Sequence, residues 1–367
     1  MGRFATCFAE LEDPRDDNAR HDLHEILMIA LCAMLCGAED CSDMAAFGRA
    51  KERFLRQFLT LRHGIPSHDT FSRVFRLLDP AQFHACFLRF MQDFAQAAQG
   101  VIAIDGKTLR RSFDRATQRS PLHLVGAWAV GCRLLLGQLA TDEKSNEITA
   151  VPRLLEMISL KGAIVTADAL NCQRAIAAKV VEKGGDYVLA LKGNQGSLRD
   201  DVELFVAEQK AAGFRDTTIS RDQTVDGDHG RIETRTTTVI HDIDWLQERH
   251  DWPGLKAVVV VESERQTGDK IERETRFYLT SLALMACMLG PVVRSHWAIE
   301  NSLHWILDMV FRDDECRLRT DHAPANFCTI KHMAQNLIRL APAKVSLRLK
   351  RKTAGWDDDF LVSPIQR

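Results

Sequence analysis

From Asp22 to Leu78 apolar residues recur every three or four positions, through LHEILMIALCAMLCG, DMAAFGRAKERFLRQFL and SHDTFSRVFRLL. This spacing predicts about three or four helices with short polar breaks. His63-Gly64-Ile65-Pro66-Ser67 punctuates the run, and Ser67 or Asp69 is a natural cap for the helix that follows. A further helix is expected from Pro80 to Ala98. At Val101 the period changes. VIAID is a short apolar run that predicts a buried strand with Asp105 at its end, and LHLVGAWAV and CRLLLGQLA, parted at Gly131, predict two more strands in a meander. Asn146 to Ile158 reads as a helix, AIVTAD as a strand ending at Asp168, Cys172 to Lys183 as a helix closed by Gly184-Gly185, and DYVLAL as one more strand.

After a helix from Gly196 to Ala212, the stretch Phe214 to Leu282 alternates polar and apolar positions, which predicts an inserted, mainly antiparallel β region. In Arg294 to Arg319, residues Ile299, Leu303, Ile306 and Val310 fall on one helical stripe, and His296, Glu300, His304 and Asp308 fall on another. Ser295 is the expected N-cap of a helix running to Arg312. A last helix, Ala323 to Ala341, precedes the basic segment KVSLRLKRK. The order strand, strand, strand, helix, strand, helix, strand is that of a ribonuclease H-like core. The expected fold class is therefore α/β: a ribonuclease H-like mixed sheet with flanking helices, interrupted by a β-rich insertion and preceded by an all-helical N-terminal domain. The boundaries are 1–100 for the helical domain, 101–195 and 283–345 for the core, 196–282 for the insertion, and 346–367 for a basic C-terminal tail.

Composition adds limits rather than an assignment. At 367 residues the chain exceeds the usual single-domain size, and 46% hydrophobic residues permit a sizeable core. A formal net charge of -2 does not announce a nucleic-acid binder, so any DNA contact must be local. Arg49, Lys51, Arg53, Arg56, Arg62, Arg73 and Arg76 along the N-terminal helices read first as a solvated face, with a DNA-binding face as the second reading. Ten scattered cysteines without a CxxC pair fit a reducing cytosol, and Cys32, Cys36 and Cys41 suit core packing better than a zinc site. No apolar run reaches membrane-spanning length, so a soluble, cytoplasmic protein with no membrane partner is expected.

The chemistry lies in the acids. Asp105 and Asp168 each end an expected buried strand, and strand ends are where open sheets bind ligands. Taken singly, each acid could merely cap the turn that follows. Three carboxylates from two strands and a helix are what a site needs to hold two Mg²⁺ ions, because hard cations take oxygen ligands and keep positions open for water and phosphate. Lys107, Arg110 and Arg111 follow Asp105, and Lys192 and Asn194 follow DYVLAL, where they could hold phosphates.

IDGKTLRRS, VTADALNCQ, YVLALKGNQ, DHGRIETR and HWAIENSLHWILDMVFRDDE resemble the H-repeat-associated insertion-sequence transposases, a bacterial DDE family. GIPSHDTFSRVF extends the resemblance into the N-terminal region. What it implies is a ribonuclease H-like catalytic core with Asp105, Asp168 and Glu300 as the metal-binding triad, Mg²⁺ as cofactor with Mn²⁺ able to substitute, and a nucleoid-associated protein. The implied activity is cleavage at transposon ends and strand transfer into target DNA. The implied partners are double-stranded DNA, as terminal inverted repeats and target, and a second copy of the chain in a homodimer. Related transposases place the third acid in a Tyr-x2-Arg-x3-Glu-x6-Lys signature; here the flanking positions hold Val293, His296 and Leu307. The phosphates flanking the cut are assigned to His296 and Arg294. His229, Arg231 and Arg235 fall near the DNA by the same resemblance, and His304 and Asp308, a turn or two below Glu300, are expected to orient it. A domesticated or inactive DNA-binding protein is the alternative, as is a metal-dependent nuclease of the same fold; a phosphatase of the Asp-x-Asp type is disfavoured because Lys107 holds the second acid's place.

Overall fold

A computed structural model describes residues 2–95, 100–113, 118, 120–141, 146–228 and 230–366. Six helices come first: α1 (Gly2–Phe8), α2 (Leu23–Leu35), α3 (Cys41–Ala50), α4 (Glu52–Leu55), α5 (His68–Leu77) and α6 (Pro80–Ala95). The expected end of α6 at Ala98 lies outside the described residues. Asp22 caps α2 by accepting from the Glu25 N–H, and Ser67 caps α5 by accepting from the Thr70 N–H. Helix α2 is apolar on nearly every side and is buried accordingly, which requires helices all around it.

Then follow β1 (Val101–Thr108), β2 (His123–Ala129), β3 (Leu134–Thr141), α7 (Glu147–Glu156), β4 (Ile164–Ala167), α8 (Arg174–Glu182), β5 (Asp186–Leu191) and α9 (Gly196–Ala211). The β region supplies β6 (Ile219–Asp228), β7 (Arg231–Ile240), α10 (Asp244–His250), β8 (Ala257–Thr267) and β9 (Lys270–Thr280). The chain then runs through α11 (Ala286–Ser295), a π-helical turn (Glu300–His304), α12 (Trp305–Phe311), α13 (Ala323–Leu340), α14 (Leu347–Trp356) and α15 (Asp358–Val362). Among the described residues no helix is long and apolar enough to cross a membrane.

Among the described residues nine strands form one mixed sheet in the order β3-β2-β1-β4-β5-β9-β8-β7-β6. Only β1, β4 and β5 run parallel to one another. The alternating region is antiparallel as its pattern predicts, and β9 joins it to β5 through pairs from Val188↔Thr280 to Leu191↔Phe277. Helices α7, α8 and α9 share a core with one face of the sheet, which includes Ile102, Ile104, Val165 and Leu189. The other face, with Ala103, Trp128 and Leu135, belongs to a core common to α1–α6 and α12–α15. Phe75 and Phe327 meet edge to face across it, with ring centroids 5.3 Å apart.

Three expectations are corrected. Asp105 does not end its strand, because β2 continues to pair with β1 through Asp105↔Gly126 and on to Thr108↔His123. Ser295 is the last residue of α11 rather than an N-cap, and its hydroxyl donates to the Val292 carbonyl. The basic C-terminal segment is not a tail: it folds into α14 and α15, with Lys350 and Arg351 buried. Both cations reach backbone carbonyls, Lys350 those of Arg339 and Ala341, and Arg351 those of Met34, Ala38 and Val310, which repays their removal from water.

The ten cysteines are free thiols. Burial pushes the Cys36 and Cys41 thiols up to about 12.

Strand β3 is an edge, and helices rather than another strand cover it. The Asn336 amide accepts from the Leu135 N–H at 3.0 Å and donates to the Leu135 carbonyl at 2.9 Å. His84 accepts from the Gln138 N–H, and burial lowers its pKa to about 4, which keeps the accepting nitrogen free of a proton. Asn336→Ala strands two buried backbone groups, so a loss of about 2–4 kcal/mol is expected in urea unfolding; a loss within about 0.5 kcal/mol would show that the edge needs no cover.

Candidate active site

Pairing between parallel β1 and β4 ends at Ile104↔Ala167, so Asp105 and Asp168 are the next residues on adjacent strands. The two-residue period of β1 turns Ala103, Asp105 and Lys107 to the face that α11 and α12 cover. Along that helical segment the stripe Ile299, Leu303, Leu307 and Phe311 is buried in the shared core and docks it on the sheet. The π-helical turn then decides what the polar side presents. With hydrogen bonds closing five residues apart, as from the Trp305 N–H to the Glu300 carbonyl, residues four apart stack more nearly one above the other.

Glu300 and His304 consequently converge on Asp105. One ligand atom from each of these three residues lies within 4.8 Å of the others. His304 Nδ1 stands 3.6 Å from Asp105 Oδ2 and 3.5 Å from Glu300 Oε2. Further along, Asp308 takes the Lys107 ammonium at 2.6 and 2.7 Å, with Asp314 at 3.9 Å. Sequence reasoning gave His304 and Asp308 a supporting place. His304 stands among the converging ligand atoms, and Asp308 ties down Lys107.

Asp168 is outside that group of three. Its Oδ1 accepts from the Asn171 backbone N–H at 3.2 Å and side-chain Nδ2 at 3.0 Å. Its charge is nonetheless felt at Asp105, whose pKa is pushed up to about 6: burial is the main cause, His304 opposes it, and the Glu300 and Asp168 charges add to it. Glu300 is held below the usual carboxylate range, chiefly by its hydrogen bond with His304. His296 is half-buried, lies 3.1 Å from Thr166 Oγ1 through Nδ1, and has its pKa lowered by desolvation.

The residues expected to meet DNA are placed as follows. Arg110 is 81% exposed, 3.6 Å from Asp314. Lys192 and Asn194 are exposed beyond β5, and Asn194 donates to the Ala169 carbonyl, beside Asp168. Arg231 pairs with Glu233, Arg235 with Glu233 and Asp226, and Arg294 with Asp226. These three arginines, with Arg276 and Trp297, line a cleft of about 720 Å³ between the β6–β9 strands and α11. His229 lies outside the described residues.

Sequence reasoning missed a buried polar cluster beneath the acids. His123, Glu147 and Asn171 are at most 2% exposed. His123 Nε2 lies 2.7 Å from Glu147 Oε1, and the Asn171 amide donates to Glu147 Oε2 at 2.8 Å. Glu147 opens a helix, where an acid is ordinary, so nothing in the pattern marked it.

A family model described as "Transposase DDE domain" matches residues 96–337, and one described as "DDE_Tnp_1-associated" matches residues 5–91. The H repeat-associated putative transposase YhhI of Escherichia coli K12 is 39% identical over 351 residues, covering 94% of this chain and 92% of that protein. An uncharacterized protein in the dhlA 3' region of Xanthobacter autotrophicus is 48% identical over 282 residues, covering 75% of this chain and 92% of that one. Among solved structures, a piggyBac transposase synaptic complex with hairpin DNA aligns at a TM-score of 0.49 and 10% identity, over 100% of this chain and 78% of that chain.

Proposed function

The chain belongs to the DDE-domain transposases, and from that premise we propose that Asp105, Asp168 and Glu300 are the carboxylates with which it cuts DNA at the ends of a mobile element and joins the freed strand to target DNA. The observation that carries this reading is the convergence of Glu300 and His304 on Asp105, next to Asp168 on the neighbouring strand. A ribonuclease H-like core is part of the same proposal. Its support is the run β3-β2-β1-β4-β5, antiparallel in its first three strands and parallel in the last three. The helices before β1 form the associated N-terminal region in this reading, and β6–β9 the insertion between the second and third acids.

The donor set suits a divalent cation. Carboxylate oxygens are what Mg²⁺ and Mn²⁺ prefer; burial first, and then the Glu300 and Asp168 charges, make the ionised form of Asp105 unfavourable despite His304, a cost that a bound cation would offset. Lys107 is held by Asp308, from where its charge also reaches Glu300. When bound, the cation supplies the positive field that activates a water or a 3′-hydroxyl and stabilises the leaving oxygen. The chain's own residues do the rest. Asp105 and Glu300 offer oxygens from a strand and a helix locked to each other by packing, and His304 restrains both. Arg231, Arg235 and Arg294 present guanidinium groups to the DNA backbone, where phosphates compete with Asp226 and Glu233 for them. A pair of element ends implies a second copy of the chain in the active complex.

The direct test incubates the protein with labelled duplexes ending in the element's inverted repeats, plus Mg²⁺. End-specific nicks that free a 3′-hydroxyl, followed by joining to a second duplex, are the expected products. Cutting without end specificity would favour a nuclease, and no cutting would sink the proposal.

The reading also has a pH signature. Asp105 must lose its proton to bind a cation, so Mn²⁺ affinity measured by electron paramagnetic resonance should fall about tenfold per pH unit below about 6. Stability runs the other way. With the folded pKa raised above the ordinary 3.8, the contribution of protonated Asp105 is fully present below that value and is lost as pH rises through about 6. Mn²⁺ should therefore raise the melting temperature more near neutral pH than at about pH 5.

A further inference from the structure

Resting on that reading of Asp168, we propose that Glu147, His123 and Asn171 form a buried hydrogen-bond chain that sets the orientation of the Asp168 carboxylate, which makes Glu147 and Asn171 positioning residues of the cation site. The chain is continuous. Thr108 Oγ1 lies 2.8 Å from His123 Nδ1, and His123 Nε2 lies 2.7 Å from Glu147 Oε1. Asn171 Nδ2 then donates one hydrogen to Glu147 Oε2 at 2.8 Å and the other to Asp168 Oδ1 at 3.0 Å. It thus links β1, β2, α7 and the turn after β4.

Stability does not account for it. Glu147 and His123 are 1% and 2% exposed, and a buried polar pair of this kind is commonly replaced by apolar residues without loss. Asn171 is more telling. Its Oδ1 is buried with no hydrogen-bond partner among the described residues, an arrangement that costs about 1–3 kcal/mol. Turning the amide over would bring that oxygen against two carboxylates. The amide is held in the one orientation that serves Glu147 and Asp168 together.

Gly106 supplies an independent observation. A Cβ at this position would fall 2.3 Å from Glu147 Oε1 and 2.5 Å from His123 Nε2. The residue after Asp105 has no side chain, and the chain passes through the space this leaves. With Oδ1 of Asp168 fixed by two N–H groups of Asn171, the carboxylate cannot turn freely and Oδ2 is the oxygen left to give. Groups that orient a metal-binding carboxylate in this way commonly change cation affinity when altered.

The test uses protein labelled with ¹³C at aspartate Cγ, with the Asp168 resonance assigned by its loss in D168N. Glu147→Gln replaces one of the two oxygens with an N–H that must face either His123 or Asn171 and so breaks the pattern of the chain, and Asn171→Ala removes the link while sparing the His123–Glu147 pair. In the cation-free protein both changes should move the Asp168 resonance, and Mn²⁺ affinity should fall by about 10–100-fold. Circular dichroism checks that each variant is folded. An unmoved Asp168 resonance in the folded variants, even with a lowered melting temperature, overturns the positioning role. A moved resonance combined with undiminished Mn²⁺ affinity in D168N overturns Asp168 as a cation ligand and leaves the chain's hold on it standing. If E147Q does not fold, N171A decides alone.

Discussion

Glu300→Gln and Asp105→Asn are each expected to lower Mg²⁺-dependent end cleavage by about 10³-fold or more, because the charge stabilisation a metal site supplies amounts to several kcal/mol and each 1.36 kcal/mol is a factor of ten. Both replacements keep the side-chain shape. The Glu300 side chain is half exposed, so its neutral analogue disturbs little packing. Asp105 gives the sharper contrast. Burial makes its charged form unfavourable, so D105N should be inactive and yet more stable than the parent above about pH 6. Gel assays of end nicking and thermal melts of the same preparations read both effects. Nicking at the parent rate by either variant would remove that residue from the reaction.

Lys331→Met is the largest expected loss of stability, about 3–5 kcal/mol, because it leaves Asp313 as a buried carboxylate without its counter-charge. Lys331 Nζ and Asp313 Oδ1 are 2.9 Å apart, with side chains 1% and 2% exposed. Burial pushes the Asp313 pKa up, yet the charge and hydrogen bond of Lys331 outweigh it and bring it below the ordinary value of 3.8. The pair's contribution is therefore present above that value and is lost as pH falls through the lower folded pKa. Asp313 lies two residues beyond α12, so this bond also anchors the end of the helical segment that carries Asp308 and, in the π-helical turn before it, His304. Urea unfolding at neutral pH measures the loss, and a change under about 1 kcal/mol would mean that Asp313 finds another partner or takes up a proton. The double change Lys331→Met with Asp313→Leu should recover most of it.

The candidate acids were singled out by pattern: Asp105 and Asp168 stand out against apolar runs, and Glu300 lies on the polar stripe beside Ile299 and Leu303. The β region was legible from its alternation. Its continuity with the core sheet was not, since the β5–β9 pairing joins residues about 90 positions apart and leaves no local mark. Ser295 suggests the cap of the helix by its residue type alone; in the structure α11 begins at Ala286 and carries Pro291 inside it. The C-terminal basic segment was misread from charge alone, because carbonyl acceptors for Lys350 and Arg351 come from distant chain. Glu147, His123 and Asn171 escaped notice for the same reason. Each is polar and buried only through the others, and hydrophobic periodicity does not register such residues.

Arg351 places the completion of the fold late in synthesis. Its guanidinium donates to the Met34 carbonyl, 317 residues earlier, and lies 4.1 Å from the centre of the Phe311 ring. At about 5–20 residues per second, the C-terminal end of α2 waits about 15–60 s for this partner. Through most of that interval the apolar surface of α2 lacks α13 as well. A nascent chain carrying an almost wholly apolar helix for that long is exposed to chaperones and proteases, and a copy truncated within α13 should be degraded faster than the full chain in a pulse-chase measurement.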